Sequence, residues 1–103
     1  MQNIDKFIEA IHDNKFIEAH EILEESWKKL KQINKDEANI QKGLINGATA
    51  IALKLKGRDK GAFMVWDTFE KYRELISTTK SPLSKKYKQA EIILDQKFET
   101  YMI

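Results

Sequence analysis

From Ile4 to Tyr101 the apolar residues of this chain return at intervals of three and four, and nowhere do they alternate with polar residues over the length of a strand. That spacing leaves one fold class open, because each stretch can bury a face only if it is wound at 3.6 residues per turn. The reading is all-α: a compact antiparallel bundle of four to five helices with short loops, one helical domain over residues 1–103.

Punctuation sets the helices. The first spans about Ile4 to Asp13, with Asn3 as N-cap and Phe7, Ala10 and Ile11 on one face. After a turn at Asp13-Asn14 the second runs from Lys15 to Gln32, with Phe16, Leu23, Trp27 and Leu30 in line. Asn34 or Asp36 caps a third helix from Glu37 to Lys56, whose seam is Ile40, Leu44, Ala48, Ile51 and Leu55. Ile45, Ala52 and Leu53 widen that seam, which makes the third helix the central one. Gly43 and Gly47 keep part of its surface small, so that another backbone can approach. Gly57 ends it at the C′ position, and Asp59 caps a fourth helix from Lys60 to Ser77. Ala62, Val65, Trp66, Phe69, Tyr72 and Ile76 face inward there. The only proline, Pro82, fits the first turn of a fifth helix capped by Ser81, with Leu83, Tyr87, Ala90, Leu94, Phe98 and Tyr101 along its inner side.

Several function classes drop out. The chain has no cysteine, which excludes disulfides, thiol nucleophiles and zinc–thiolate sites. No apolar run approaches 18 residues, and the first fifteen residues carry acids where a signal peptide has an apolar core, so the expected compartment is the cytoplasm. The net charge of +2 conceals an asymmetry: residues 1–27 hold two lysines against seven acids, residues 28–60 nine Lys/Arg against three acids. The basic segment falls at helix C-termini, where lysines complement the dipole, and no nucleic-acid-binding motif accompanies it. There is no phosphate-binding loop, nucleophile elbow or dinucleotide fingerprint.

One stretch concentrates polar chemistry: EAHEILEESW, residues 18–27. At 100° per residue Phe16, His20, Leu23 and Trp27 fall within about 60° of arc. His20 therefore lies in the core-facing stripe, and Glu24, four residues on, is within its reach. Glu21 lies about 100° away on the same flank. Three readings compete. His20 is a satisfied core histidine bonded to Glu24 or a helix carbonyl. Alternatively His20 and Glu24 line a pocket for a small ligand, with Trp27 as its apolar wall. Or His20 and Glu24 hold a metal, a reading short of ligands because His12 is the only other histidine and HEILE lacks the second histidine of HExxH. No cofactor can be named.

The blocks KFIEAHEILEESW (15–27) and QKGLINGATAIALKLKGRDKGA (41–62) resemble the domain of unknown function 309 family, small bacterial and archaeal all-helical proteins. The family pattern is an aromatic residue, E-A-H-E-x-L-E-x-x-W, then a G-L-I-Q-x-A helix ending in G-N and G-A. Phe16, Glu18, Ala19, His20, Glu21, Leu23, Glu24 and Trp27 match the first block; Gly43, Leu44, Ile45, Ala48, Gly57, Gly61 and Ala62 match the second. Asn46 departs from the family glutamine, and Arg58-Asp59 from its asparagine. The likeness spans about residues 7 to 76. It implies a helical fold and a prokaryotic source. It also implies that His20, Glu21, Glu24 and Trp27, with Asn46 facing them from the central helix, are the polar residues to test. It implies no activity.

The leading expectation is a polar pocket between the second and third helices, binding a small ligand. The alternative is an interaction module or homodimer, since Phe63, Met64, Trp66, Ile92 and Ile93 exceed what a small bundle easily buries. A metal-dependent hydrolase is the third.

Overall fold

The computed structural model describes residues 2–103 and is 80% helical, with no strand among the described residues. Five helices of ten residues or more and one short one follow in order: α1 (Asn3–His12), α2 (Phe16–Leu30), α3 (Lys35–Leu55), α4 (Asp59–Tyr72), α5 (Leu75–Thr78) and α6 (Ser84–Tyr101). No helix among them is long and apolar enough to cross a membrane.

The ends of α1 and α3 use one device. Gly57, at φ 80°, donates to the Lys54 carbonyl at 2.9 Å, and Arg58 donates to the Leu53 carbonyl at 3.0 Å. Asn14, at φ 63°, repeats the pattern, with bonds from Asn14 to Ile11 at 3.2 Å and from Lys15 to Ala10 at 2.8 Å. These paired bonds satisfy carbonyls that a helix end leaves open, and turn the chain back within three residues. Asn34 caps α3 by accepting from the Glu37 N–H at 3.1 Å.

Three expected caps differ. Asn3 lies inside α1, and Gln2 takes the cap position, its N–H donating to Asp5 at 3.2 Å. Arg58 occupies the cap position of α4, and Asp59 pairs instead with Lys54 at 3.0 Å. Pro82 stands before α6, in a turn where Ser81 Oγ accepts from the Leu83 N–H at 3.0 Å.

The helices run up, down, up, down and up. Asn3 Nδ2 donates to the Ile22 carbonyl at 3.3 Å, so α1 and α2 are antiparallel. A Cβ on Gly43 would lie 3.0 Å from Tyr72 Cβ, and one on Gly47 would lie 3.3 Å from Phe69 Cγ, which makes α4 antiparallel to α3 and shows how closely the two approach. α6 completes the bundle beside α1 and α3, with Leu94 against Gly47 and Lys86 on Asp5 at 2.8 Å. α3 packs against α2, α4, α5 and α6. It is central, as its wide apolar seam requires.

The buried residues form one cluster that includes Phe7, Ile11, Phe16, Leu23, Leu44, Ile51, Phe69, Tyr87 and Leu94. Two expectations about this cluster need correction. Leu55, placed in the seam, is 54% exposed: it stands on the last turn of α3, on the wall of an open recess shared with Phe16 and Ile17. Trp66, counted among the surplus apolar residues, is only 6% exposed; Phe69 and Phe98 pack on it at 4.7 and 4.5 Å between ring centroids. The fourth helix also breaks early. Arg73 swings across to Glu91, at 2.8 Å, and to Asp95 on α6, and the chain resumes as α5.

Candidate functional site

α2 and α4 both pack on α3 and scarcely touch each other, which leaves a depression above α3 between them. His20 of α2 stands at its middle. Its Nδ1 lies 2.6 Å from Thr49 Oγ1 on α3, and its Nε2 lies 3.1 Å from Glu24 Oε2 one turn along α2. Thr49 Oγ1 in turn lies 3.0 Å from the Ile45 carbonyl. The His20 and Glu24 side chains are 35% and 39% exposed, so the pair is open to solvent on one side.

Counting protons defines what this chain of groups can do. Thr49 has one hydroxyl proton. If His20 is neutral, Nε2–H donates to Glu24, and Thr49 donates to Nδ1. If His20 is cationic, Nδ1–H donates to Thr49, whose own proton turns to the Ile45 carbonyl. Both arrangements satisfy every group without moving a heavy atom. In both, each imidazole nitrogen is engaged inside the protein, so His20 orients its neighbours and offers no N–H of its own to a bound molecule. The His20 hydrogen bond holds the Glu24 carboxyl below the ordinary carboxylate range, against a smaller opposing effect of burial and with Lys28 at 3.6 Å adding to it.

Three recesses meet along this line. The first, of about 370 Å³, lies between Phe16 and Ile17 on α2 and Ala52 and Leu55 on α3. The second, of about 230 Å³, shares Phe16, Ile17 and Ala52 with it and extends to His20, Glu21 and Thr49. The third, of about 200 Å³, shares His20 and Thr49 and continues to Glu24, Trp27, Ile45, Asn46 and Val65. Together they form a trough from Lys15 to Trp27 along α2, about 18 Å at 1.5 Å per residue. Its walls are apolar at both ends, and its one hydrogen-bonded centre is the Glu24–His20–Thr49 chain.

The five residues singled out in the sequence occupy this trough in different ways. His20 and Glu24 are bonded to each other. Trp27 is half-buried at the far end, with Lys31 Nζ 4.8 Å from its ring centroid. Glu21 lines the middle recess but is exposed and makes no hydrogen bond to His20. Asn46 lines the same recess as His20 and Glu24, yet its Nδ2 donates to the Lys42 carbonyl one turn back, at 2.7 Å. A short amide curls onto its own helix, so Asn46 faces His20 and Glu24 across the recess and bonds to neither.

Thr49 escaped the sequence reading. A threonine among small residues of an apolar helix looks like surface filler; its one signal is that it is the only hydroxyl on α3. The sequence also placed His20 within the buried stripe, whereas it stands at the rim. The buried residues of α2 are Phe16, Ala19 and Leu23, and their centre is turned by about 60° from His20. Among the described residues no three His, Cys, Asp or Glu side chains converge on one point, so a metal ion finds no ligand set here.

A family model described as Domain of unknown function (DUF309) matches residues 4–65. The chain belongs to this family. The matched segment holds α1, α2, α3 and the first half of α4, and so contains every residue that lines the trough, through Val65. α5 and α6 lie beyond it. No curated protein and no solved structure matches the chain significantly.

Proposed function

We propose that this protein is a binding module working in the cytoplasm of a prokaryotic cell. Its site is the α2–α3 trough, and its ligand is a small molecule with a largely apolar body and one polar group. The observation that carries this reading is the position of the Glu24–His20–Thr49 chain: a fully satisfied polar cluster, half open to solvent, where the apolar recesses join. Ligand sites combine those two elements, apolar walls for affinity and a few fixed polar groups for orientation. Reaction chemistry has less support, because both imidazole nitrogens are already committed.

A thermal-shift screen against apolar metabolites tests it, with Ala52→Trp in parallel. The new ring fills the trough floor and leaves His20, Glu24 and Thr49 in place. A ligand that raises the melting temperature of the wild type and not of Ala52→Trp supports the reading. Ligands that stabilise both chains equally make no use of the apolar floor beside Phe16 and Ile17 and sink the reading of the whole trough as one site.

Self-association is the second reading. Phe63, Met64 and Ile92 are exposed on α4 and α6, away from the trough. Sedimentation equilibrium decides it: a monomer at high concentration removes the homodimer.

A further inference from the structure

The trough offers a ligand acceptors and negative charge at its polar centre, and the protein's own side chains show which chemistry that corner attracts. With His20 neutral, its one N–H is spent on Glu24, and the Thr49 hydroxyl is spent on His20. What remains for a ligand is the second Glu24 oxygen and the free lone pairs of Glu24 and Thr49, and all of these accept. Two ammonium groups already gather at this corner. Lys28 Nζ stands 3.6 Å from Glu24 Oε1, a loose pair on a largely exposed side chain, and Lys31 Nζ lies over the Trp27 ring. A carboxylate beside an aromatic face is a combination that holds organic cations.

Building on the reading of the trough as a ligand site, we propose that its ligand is an organic amine. The ammonium lies between Glu24 and Trp27, displacing Lys28, and the apolar body runs over Ile45 and Ala52 toward Ile17 and Leu55. An anionic ligand would meet the Glu24 carboxylate at the centre and gain no N–H from His20, whose ring nitrogens are both engaged, while the ammonium groups of Lys28 and Lys31 already lie on Glu24 and Trp27.

Titration with hexylamine, 1-hexanol and hexanoate tests the proposal, followed by the amide signals of His20, Thr49 and Trp27 in two-dimensional NMR. The three probes share one apolar body. At about pH 8 hexylamine is expected to bind roughly tenfold more tightly than hexanol, the scale of one charge-assisted hydrogen bond. Glu24→Gln should reduce it to the hexanol level, whereas Glu25→Gln, which removes the same charge from an exposed position on α2, should not. If hexanol or hexanoate binds in the trough as tightly as the amine, or Glu24→Gln changes nothing, the amine assignment is overturned while the trough stands. If none of the three moves these signals, both are overturned.

Discussion

Replacing Gly47 by alanine sets two opposing quantities against each other. Alanine is the better helix former by about 1 kcal/mol in a helix interior. Against that, the added Cβ would stand 2.9 Å from Leu94 Cδ1 and 3.3 Å from Phe69 Cγ. Neither neighbour can yield cheaply. Leu94 and Phe69 are both fully buried, and the Phe69 ring is held between Trp66, at 4.7 Å, and the Arg73 guanidinium, at 4.6 Å. Overpacking of this kind costs about 1–3 kcal/mol. Taking the middle of that range, the balance is a loss of about 1 kcal/mol. In a domain of this size that is a fall of roughly 4–8 °C in melting temperature. Gly61→Ala is the matched control, since its Cβ would meet only Leu53 Cδ1, at 3.9 Å, an ordinary contact. It should leave the melting temperature unchanged or raise it. Differential scanning calorimetry of both variants measures the difference. A Gly47→Ala protein as stable as the wild type would refute the claim that close approach of α3 to α4 and α6 requires glycine there.

Three further outcomes follow from the hydrogen-bond and charge networks. Tyr87 links α6 to α3 by donating to Glu37 at 2.6 Å and accepting from Gln41 Nε2 at 2.9 Å. Gln41 Oε1 already lacks a partner, so Tyr87→Phe strands a buried amide and should cost about 1–3 kcal/mol in urea denaturation; a neutral result would mean the amide is satisfied otherwise. Burial pushes the carboxyl pKa of Glu91 up, but hydrogen bonds from Lys88 and Arg73 outweigh it and hold it below the ordinary range. The unfolded state therefore binds the proton first, and the Glu91 contribution is complete above that range and lost as the pH falls through it. Glu91→Gln should accordingly flatten the acid limb of the stability curve, and an unaltered limb would remove Glu91 from that account. Thr49→Val should change stability by no more than about 1 kcal/mol, because the His20 site is open to water, yet shift the ¹⁵N resonance of Nδ1 and leave that of Nε2 near its wild-type value. An unmoved Nδ1 signal would break the proposed chain of hydrogen bonds.

Local signals and distant ones were not equally legible in the sequence. Helical period, the Asn34 cap and the Gly57 terminator are written within a few residues of where they act, and each sits where the pattern put it. The break at Arg73 has no glycine or proline to announce it: Arg73 and Glu74 keep helical dihedrals while the bonds tighten, Ile76 donating to Arg73 and Ser77 to Glu74, and the Arg73 partners Glu91 and Asp95 lie eighteen and twenty-two residues on. The site divides in the same way. His20 and Glu24 share a helix face at i and i+4, so their pairing follows from helix geometry alone. Thr49 reaches His20 across twenty-nine residues, and only the packing of α2 on α3 brings them together. The exposure of His20 also depends on packing: the rotation of α2 on α3 decides whether a residue at the edge of an apolar stripe is sealed or left at a rim.

The most direct test of the trough as the functional site is two-dimensional amide NMR of the full chain against an unbiased fragment library, with every perturbed signal placed on the structure. The account predicts that hits converge on Ile17, His20, Thr49, Ala52 and Trp27, whatever their chemistry. Hits that cluster instead around Phe63, Met64 and Ile92, or that scatter over the surface, would contradict it.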